Sequence, residues 1–275
     1  MLKKLLKYDF KSVFKYWWIA ALSSLALCVL GGGCINVLQS ARDLPTIVDA
    51  SAGLFLGLSI VSVVAFMLVS VIFVYVRFYK NFFTDEGYLT FTLPVKRTTL
   101  LNSKLIMSTG TVIATIIAGA INVGVMLLIG FNEIIFSKPL WKEIKNFIRI
   151  LLNEIKGYSA VYLIEAVLIL ILLTVFSVLF VFCCITFASI ITKKARVITA
   201  IGIYYGANMI FSFAVEIFAF FGISGILERI GAVGEEYRYP LLSLVIFGVI
   251  VLITLFCGML YTLQYYMLDR RLNLA

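Results

Sequence analysis

Two carboxylates, Glu165 and Glu216, lie inside apolar runs of a 275-residue chain that contains no histidine. An acid within a membrane-crossing run is a functional candidate by default, because burying it there is costly. Its obvious uses are to titrate or to hold a cation. Depth argues otherwise here. A count of about 20 residues outward from Ile191, the length of one crossing, ends near Ile171. Glu165 then stands at or beyond the outer headgroups, and the same count from Val197 puts Glu216 at the outer edge. Both acids read as interfacial and structural, with a proton or cation role as the sharper alternative. The missing histidine removes the usual general base and the commonest metal ligand, and with them a serine or cysteine hydrolase of the triad kind. Intramembrane proteolysis by paired aspartates would need two Asp within spans, and there are none. The cysteines Cys28, Cys34, Cys183, Cys184 and Cys257 match no zinc or thioredoxin spacing and read as small packing residues.

The elements that must position these residues follow from composition. The chain is 63% hydrophobic and 13% charged, against about 25% charged for a soluble domain. Its apolar residues are gathered into runs long enough to cross a bilayer core of roughly 30 Å. The expectation is an all-α polytopic membrane protein with six transmembrane helices at 16–38, 53–78, 105–131, 158–191, 197–222 and 240–267. Helices are preferred because lipid-exposed backbone must satisfy its own hydrogen bonds, and the alternating segments of a barrel are absent. The run 158–191 amounts to about 50 Å of helix, so it tilts, kinks or projects from the membrane.

Lysine and arginine set the orientation. With six spans, both termini share a side with Lys3, Lys4, Lys7, Lys11, Lys15, Arg77, Lys80, Lys96, Arg97, Lys104, Lys193, Lys194, Arg196, Arg270 and Arg271. Those fifteen cations face four acids there, whereas the opposite side carries eight of each. The positive-inside rule then places both termini in the cytoplasm of a plasma-membrane protein. The net charge of +9 is largely that cytoplasmic face. Such a face suits anionic lipid headgroups, and nucleic acid is a poor partner for it. The first apolar run is about 20 residues long, more than a cleaved signal core needs.

Three segments lie outside the spans. Residues 1–15 carry Leu2, Leu5, Leu6, Phe10, Val13 and Phe14 at helical spacing with lysines opposite. This predicts an N-terminal amphipathic interfacial helix, with Trp17 and Trp18 marking the turn into the bilayer. Residues 139–157 repeat the pattern on the outer side, with Trp141, Ile144, Phe147, Ile148, Leu151, Leu152 and Ile155 on one stripe. That stripe meets either lipid or the chain's own spans. Residues 217–239 are broken by Gly222, Gly225, Gly231 and Gly234. They read as short broken helices on the outer face before the last span, or as an irregular loop.

The remaining segment is the loop 79–104, which contains "TDEGYLTFTLPVKRTTLLNSKL". Thr84 followed by Asp85 and Glu86 fits the start of a short helix, since a hydroxyl caps it and acids favour its N-terminus. Pro94 ends it by biasing Leu93 out of helical geometry. A short helix lying across two span ends would be a docking element. A solvated connecting loop is the other reading of the same residues.

The stretch resembles the first cytoplasmic loop of permease subunits of type-2 ATP-binding-cassette (ABC) exporters from Gram-positive bacteria. In that family an acidic-aromatic run precedes Leu-Pro, a basic residue, and a lysine at the next span. Here those positions are Glu86, Tyr88, Leu93–Pro94, Arg97 and Lys104. The order of elements along the whole chain is also similar, including the short basic tail "LDRRLNLA". The resemblance implies a translocation subunit without its motor, and the chain has no G-x-x-x-x-G-K-[ST] phosphate loop. It is then no enzyme and holds no cofactor of its own. ATP and Mg would sit on separate cytoplasmic ABC ATPase subunits, and a second permease chain, identical or homologous, would pair with it. Phe82, Phe83, Tyr88 and Phe91 would anchor a coupling helix in the ATPase, with Asp85 and Glu86 orienting it. An ion-coupled transporter using Glu165 or Glu216, and a non-transporting scaffold or sensor subunit, are the alternatives.

Overall fold

The computed structural model describes residues 2–40, 45–84, 87, 95–135, 138–154, 158–192, 195–218, 220, 222, 225 and 234–270. Eight helices account for nearly all of these: α1 (Leu2–Ser40), α2 (Thr46–Phe83), α3 (Arg97–Gly130), α4 (Asn132–Ile135), α5 (Lys138–Glu154), α6 (Ser159–Ile191), α7 (Arg196–Phe218) and α8 (Glu235–Arg270). Six of them, α1, α2, α3, α6, α7 and α8, are long and apolar enough to cross a membrane. This is a multi-pass membrane protein.

Four of the spanning helices, α1, α2, α3 and α8, are longer than hydropathy alone suggests. The largest difference is at the N-terminus, where α1 runs without a break through Trp17 and Trp18. The expected turn between an interfacial helix and the first span is absent. The reason lies in the packing. Asp9, Val13, Trp17, Ala21, Ser24 and Cys28 are all buried, and their spacing of three and four residues makes one continuous helical stripe. Part of the apolar face of 1–15 is therefore covered within the chain: Val13 is buried, and Leu5, Leu6, Phe10 and Phe14 are half-buried. Phe10 and Phe14, then Phe14 and Trp17, meet as tilted ring pairs beside it with centroids 5.5 and 5.3 Å apart. The run 159–191 is likewise a single helix. α5 stands where the outer amphipathic segment was expected, and residues 141–150 are exposed on every face. Over that stretch its apolar stripe does not pack on the chain's own spans. Most of the broken segment 217–239 lies outside the described residues.

The chain divides into two compact units, the first Met1–Arg77 with Ile106–Leu151, the second Phe78–Leu105 with Leu152–Ala275. In the first, α1 binds α3 through polar pairs set in apolar surroundings. Trp17 Nε1 donates to Thr115 Oγ1 at 2.9 Å, Asn122 Nδ2 to Ser24 Oγ at 2.6 Å, and Asn36 Nδ2 to the Ile129 carbonyl at 3.3 Å. Between them the backbones come close. A methyl group on Gly32 would lie 2.7 Å from the Met126 carbonyl oxygen, and one on Gly31 would overlap Ser59 of α2. Small residues let helices approach where lipid supplies no hydrophobic drive, and interhelical hydrogen bonds then add about 0.6 kcal/mol each. Trp17, Ala21 and Phe66 form the centre of this packing. At one end of α1, Arg77 pairs with Asp9 at 3.7 Å and donates to Ser12.

In the second unit α6 is the central helix and packs against both α8 and α7. Val178, Leu179, Phe182 and Ala188 of α6 are fully enclosed. Gln264 of α8 donates to Thr186 Oγ1 at 2.7 Å with both side chains at zero exposure. Tyr261 of α8 donates to Asn102 Oδ1 of α3 at 2.8 Å.

Candidate functional site

The loop between α2 and α3 is held by its two roots. At the first root, α2 ends in an aromatic cluster of Phe78, Phe82 and Phe83, all buried. Phe78 stacks face to face on Phe182 of α6, with centroids 3.6 Å apart and planes 7° from parallel. The last carbonyls of a helix have no partner within it. Here Arg196, the first residue of α7, donates through Nη1 to the Phe83 carbonyl at 2.8 Å. The cation also sits at the negative end of the α2 dipole. Thr84 Oγ1 donates back to the Lys80 carbonyl at 2.6 Å. The Gly87 N–H donates to the Thr84 carbonyl at 2.7 Å, and Gly87 is helical. A methyl on the buried Gly87 would come 2.6 Å from the Phe82 carbonyl oxygen, so only glycine fits there.

The Thr84 hydroxyl serves the orphan carbonyl of Lys80 at the end of α2, and the next described residue, Gly87, is helical. Phe82 and Phe83 are 1% and 6% exposed, so their rings fasten the root inside the chain. Asp85, Glu86, Tyr88, Phe91, Leu93 and Pro94 lie outside the described residues.

At the second root, α3 begins with Arg97. Its Nη1 donates to the carbonyls of Leu268 and Asp269, at 3.1 and 2.7 Å, and pairs with Asp269 Oδ1 at 3.0 Å. These are the final carbonyls of α8, so one arginine caps the C-terminus of another helix here too. The Lys96 carbonyl accepts from the Thr99 and Leu100 amides and starts α3. Leu100 and Leu101 are buried on this first turn, and Lys104 follows, also buried. Each root is therefore tied to the end of a different helix of the second unit: α2 to α7 by Arg196, and α3 to α8 by Arg97. Nothing in the spacing marks Arg196 and Asp269 as partners, because they lie more than one hundred residues from the groups they meet.

The two acids separate. Glu216 of α7 is exposed. Glu165 of α6 is only 7% exposed, although depth counting placed it among the headgroups. Ser243 of α8 donates to its Oε1 at 2.9 Å, and its Oε2 is buried with no hydrogen-bond partner among the described residues. One turn before it on α6, the Tyr162 hydroxyl donates to the Tyr239 carbonyl at 2.8 Å. Glu165 thus helps to join α6 to α8. The five cysteines are free thiols.

No family, no curated protein and no solved structure matches this chain.

Proposed function

We propose that this chain is the membrane-spanning permease subunit of an ATP-driven exporter of the type-2 ABC kind. In this reading it forms the translocation path, pairs with a second permease, and couples to cytoplasmic ATPase subunits through the loop 79–104. The anchoring of that loop at both roots carries the proposal. A plain connector needs no such attachment, whereas a coupling loop needs roots stiff enough to pass motion to the spans. Arg196 and Arg97 supply that stiffness at α7 and α8. The fifteen-cation face and the missing phosphate loop support the same reading, with ATP and Mg on the partner.

With Phe82 and Phe83 committed inside the chain, Tyr88 and Phe91 are the aromatic anchors toward the ATPase. Tyr88→Ala removes one anchor, with an expected loss of about 2 kcal/mol, or roughly thirtyfold in ATPase affinity. Asp85→Lys acts on association rate and salt dependence, because charges at an interface rim mainly set encounter. The measurement is ATPase co-purification with each variant beside a membrane-insertion control. Normal insertion with full ATPase retention in both variants would reduce the loop to a connector.

The buried Oε2 of Glu165, with no hydrogen-bond partner among the described residues, favours a second reading, an ion-coupled transporter. In that case the chain alone, in liposomes, dissipates an imposed pH gradient, and Glu165→Gln stops it. A gradient equally stable with wild-type and variant chains eliminates this reading, and the exporter reading expects that result.

A further inference from the structure

α7 and α8 both lean on α6 but scarcely touch each other, and a wedge opens between them. It encloses about 470 Å³, within the range of about 300–1,000 Å³ for small-molecule sites. Its floor is α6, from Phe180 to Ile190, and its walls include Ile203 and Ala207 of α7 and Leu263 and Tyr266 of α8. Among the described residues no charged side chain lines it. One end is blind: Phe211 of α7 meets Phe176 of α6 at 5.2 Å and Phe256 of α8 at 6.3 Å, closing the gap with three rings. The other end approaches the ends of the same helices, where Arg196 opens α7 and Arg270 closes α8. From Phe211 to Arg196 the helix rises about 22 Å, which is one leaflet of hydrocarbon, about 15 Å, plus a headgroup layer. The slot is open along its side, where Phe187, Leu263 and Tyr266 are about half exposed on the surface of a membrane-crossing helix group.

A blind, uncharged, leaflet-deep slot with one cation, Arg196, toward its mouth matches one kind of molecule by shape and by charge. We propose that the slot holds an acyl chain of an anionic phospholipid, with the headgroup at the Arg196 end. Hydrocarbon fills the space that α7 and α8 leave open, and the anionic group lies level with Arg196. Bound lipid then braces α7, whose first residue also ties down α2. This inference is independent of the transport assignment. It concerns what the second unit binds, whatever drives the protein.

The test is native mass spectrometry of the delipidated full chain, titrated with phosphatidylglycerol or with phosphatidylcholine of the same chain length. One phosphatidylglycerol should be retained in preference to phosphatidylcholine, by about fivefold for a single nearby cation. Ala207→Trp fills the slot and should lose that lipid, while Ile171→Trp, on an exposed part of α6 away from the slot, should keep it. Equal retention of the two lipids, an unchanged lipid count in Ala207→Trp, or a change of oligomeric state in place of lipid loss each overturns the proposal. If Ala207→Trp fails to fold, photo-crosslinking of the wild-type chain decides, using phosphatidylglycerol with a diazirine in its acyl chain. Label should concentrate at 180–190, 203–207 and 260–267, and label spread evenly over the six spans refutes the site.

Discussion

Two arginines end helices that are not their own, and their contributions differ in kind. Arg196 gives one charge-assisted hydrogen bond to the Phe83 carbonyl, and such bonds contribute about 1.5–3 kcal/mol. Arg196→Ala should leave overall helicity unchanged. It should speed hydrogen exchange of the amides near the end of α2 by about tenfold, the equivalent of about 1.4 kcal/mol. Exchange at the wild-type rate would show that the aromatic cluster alone holds this root. Arg97 spreads its contacts over two carbonyls and one carboxylate, and both partners in the ion pair are more than 40% exposed. Exposed pairs contribute less than about 1 kcal/mol. Asp269→Asn should therefore cost less than Arg97→Ala in a detergent unfolding titration. Equal costs would assign the attachment to the ion pair and not to the cap.

At the scale of helices, the triplet Gly31-Gly32-Gly33 shows how position decides the meaning of a residue. Gly32 faces the α3 backbone, whereas the space around Gly33 is open within 4 Å. Gly32→Ala should destabilise the first unit by about 1–3 kcal/mol through overpacking. Gly33→Ala should be neutral, or stabilise by up to about 1 kcal/mol, because alanine is the better helix former. Thermal unfolding of the two variants in detergent checks the contrast, and equal midpoints would deny the close approach of α1 to α3. Three consecutive glycines are visible in the sequence. Which of them meets a neighbour depends on helix rotation, and that was settled by the stripe from Asp9 to Cys28. The same stripe explains the missing turn at Trp17: an amphipathic face reads identically whether lipid or protein covers it.

For the molecule as a whole, the charge asymmetry makes the orientation testable. An impermeant maleimide applied to intact cells should label Lys145→Cys, on the exposed face of α5, and leave Lys193→Cys unlabelled. The reverse pattern would invert the protein. It would also remove the loop 79–104 from the side where ATP is found, and the exporter proposal with it.

Hydropathy and charge are properties of short windows, so the six crossings, the all-helical class and the second surface helix were legible along the chain. Run lengths were underestimated at α1, α2, α3 and α8, because a helix continues for as long as its backbone hydrogen bonds do, past the apolar window that marks a span. The candidate site was legible only as a stretch of unusual composition. Its two arginine ties join residues 113 and about 170 positions apart, and no local pattern encodes such a pairing. Glu165 makes the same point. Counting residues gives a depth along one helix, but burial depends on what stands beside it, and Ser243 of α8 stands there. The slot between α7 and α8 is the extreme case. Each of its walls is an ordinary apolar helix face, and a gap between three faces exists only once α6 has gathered the other two.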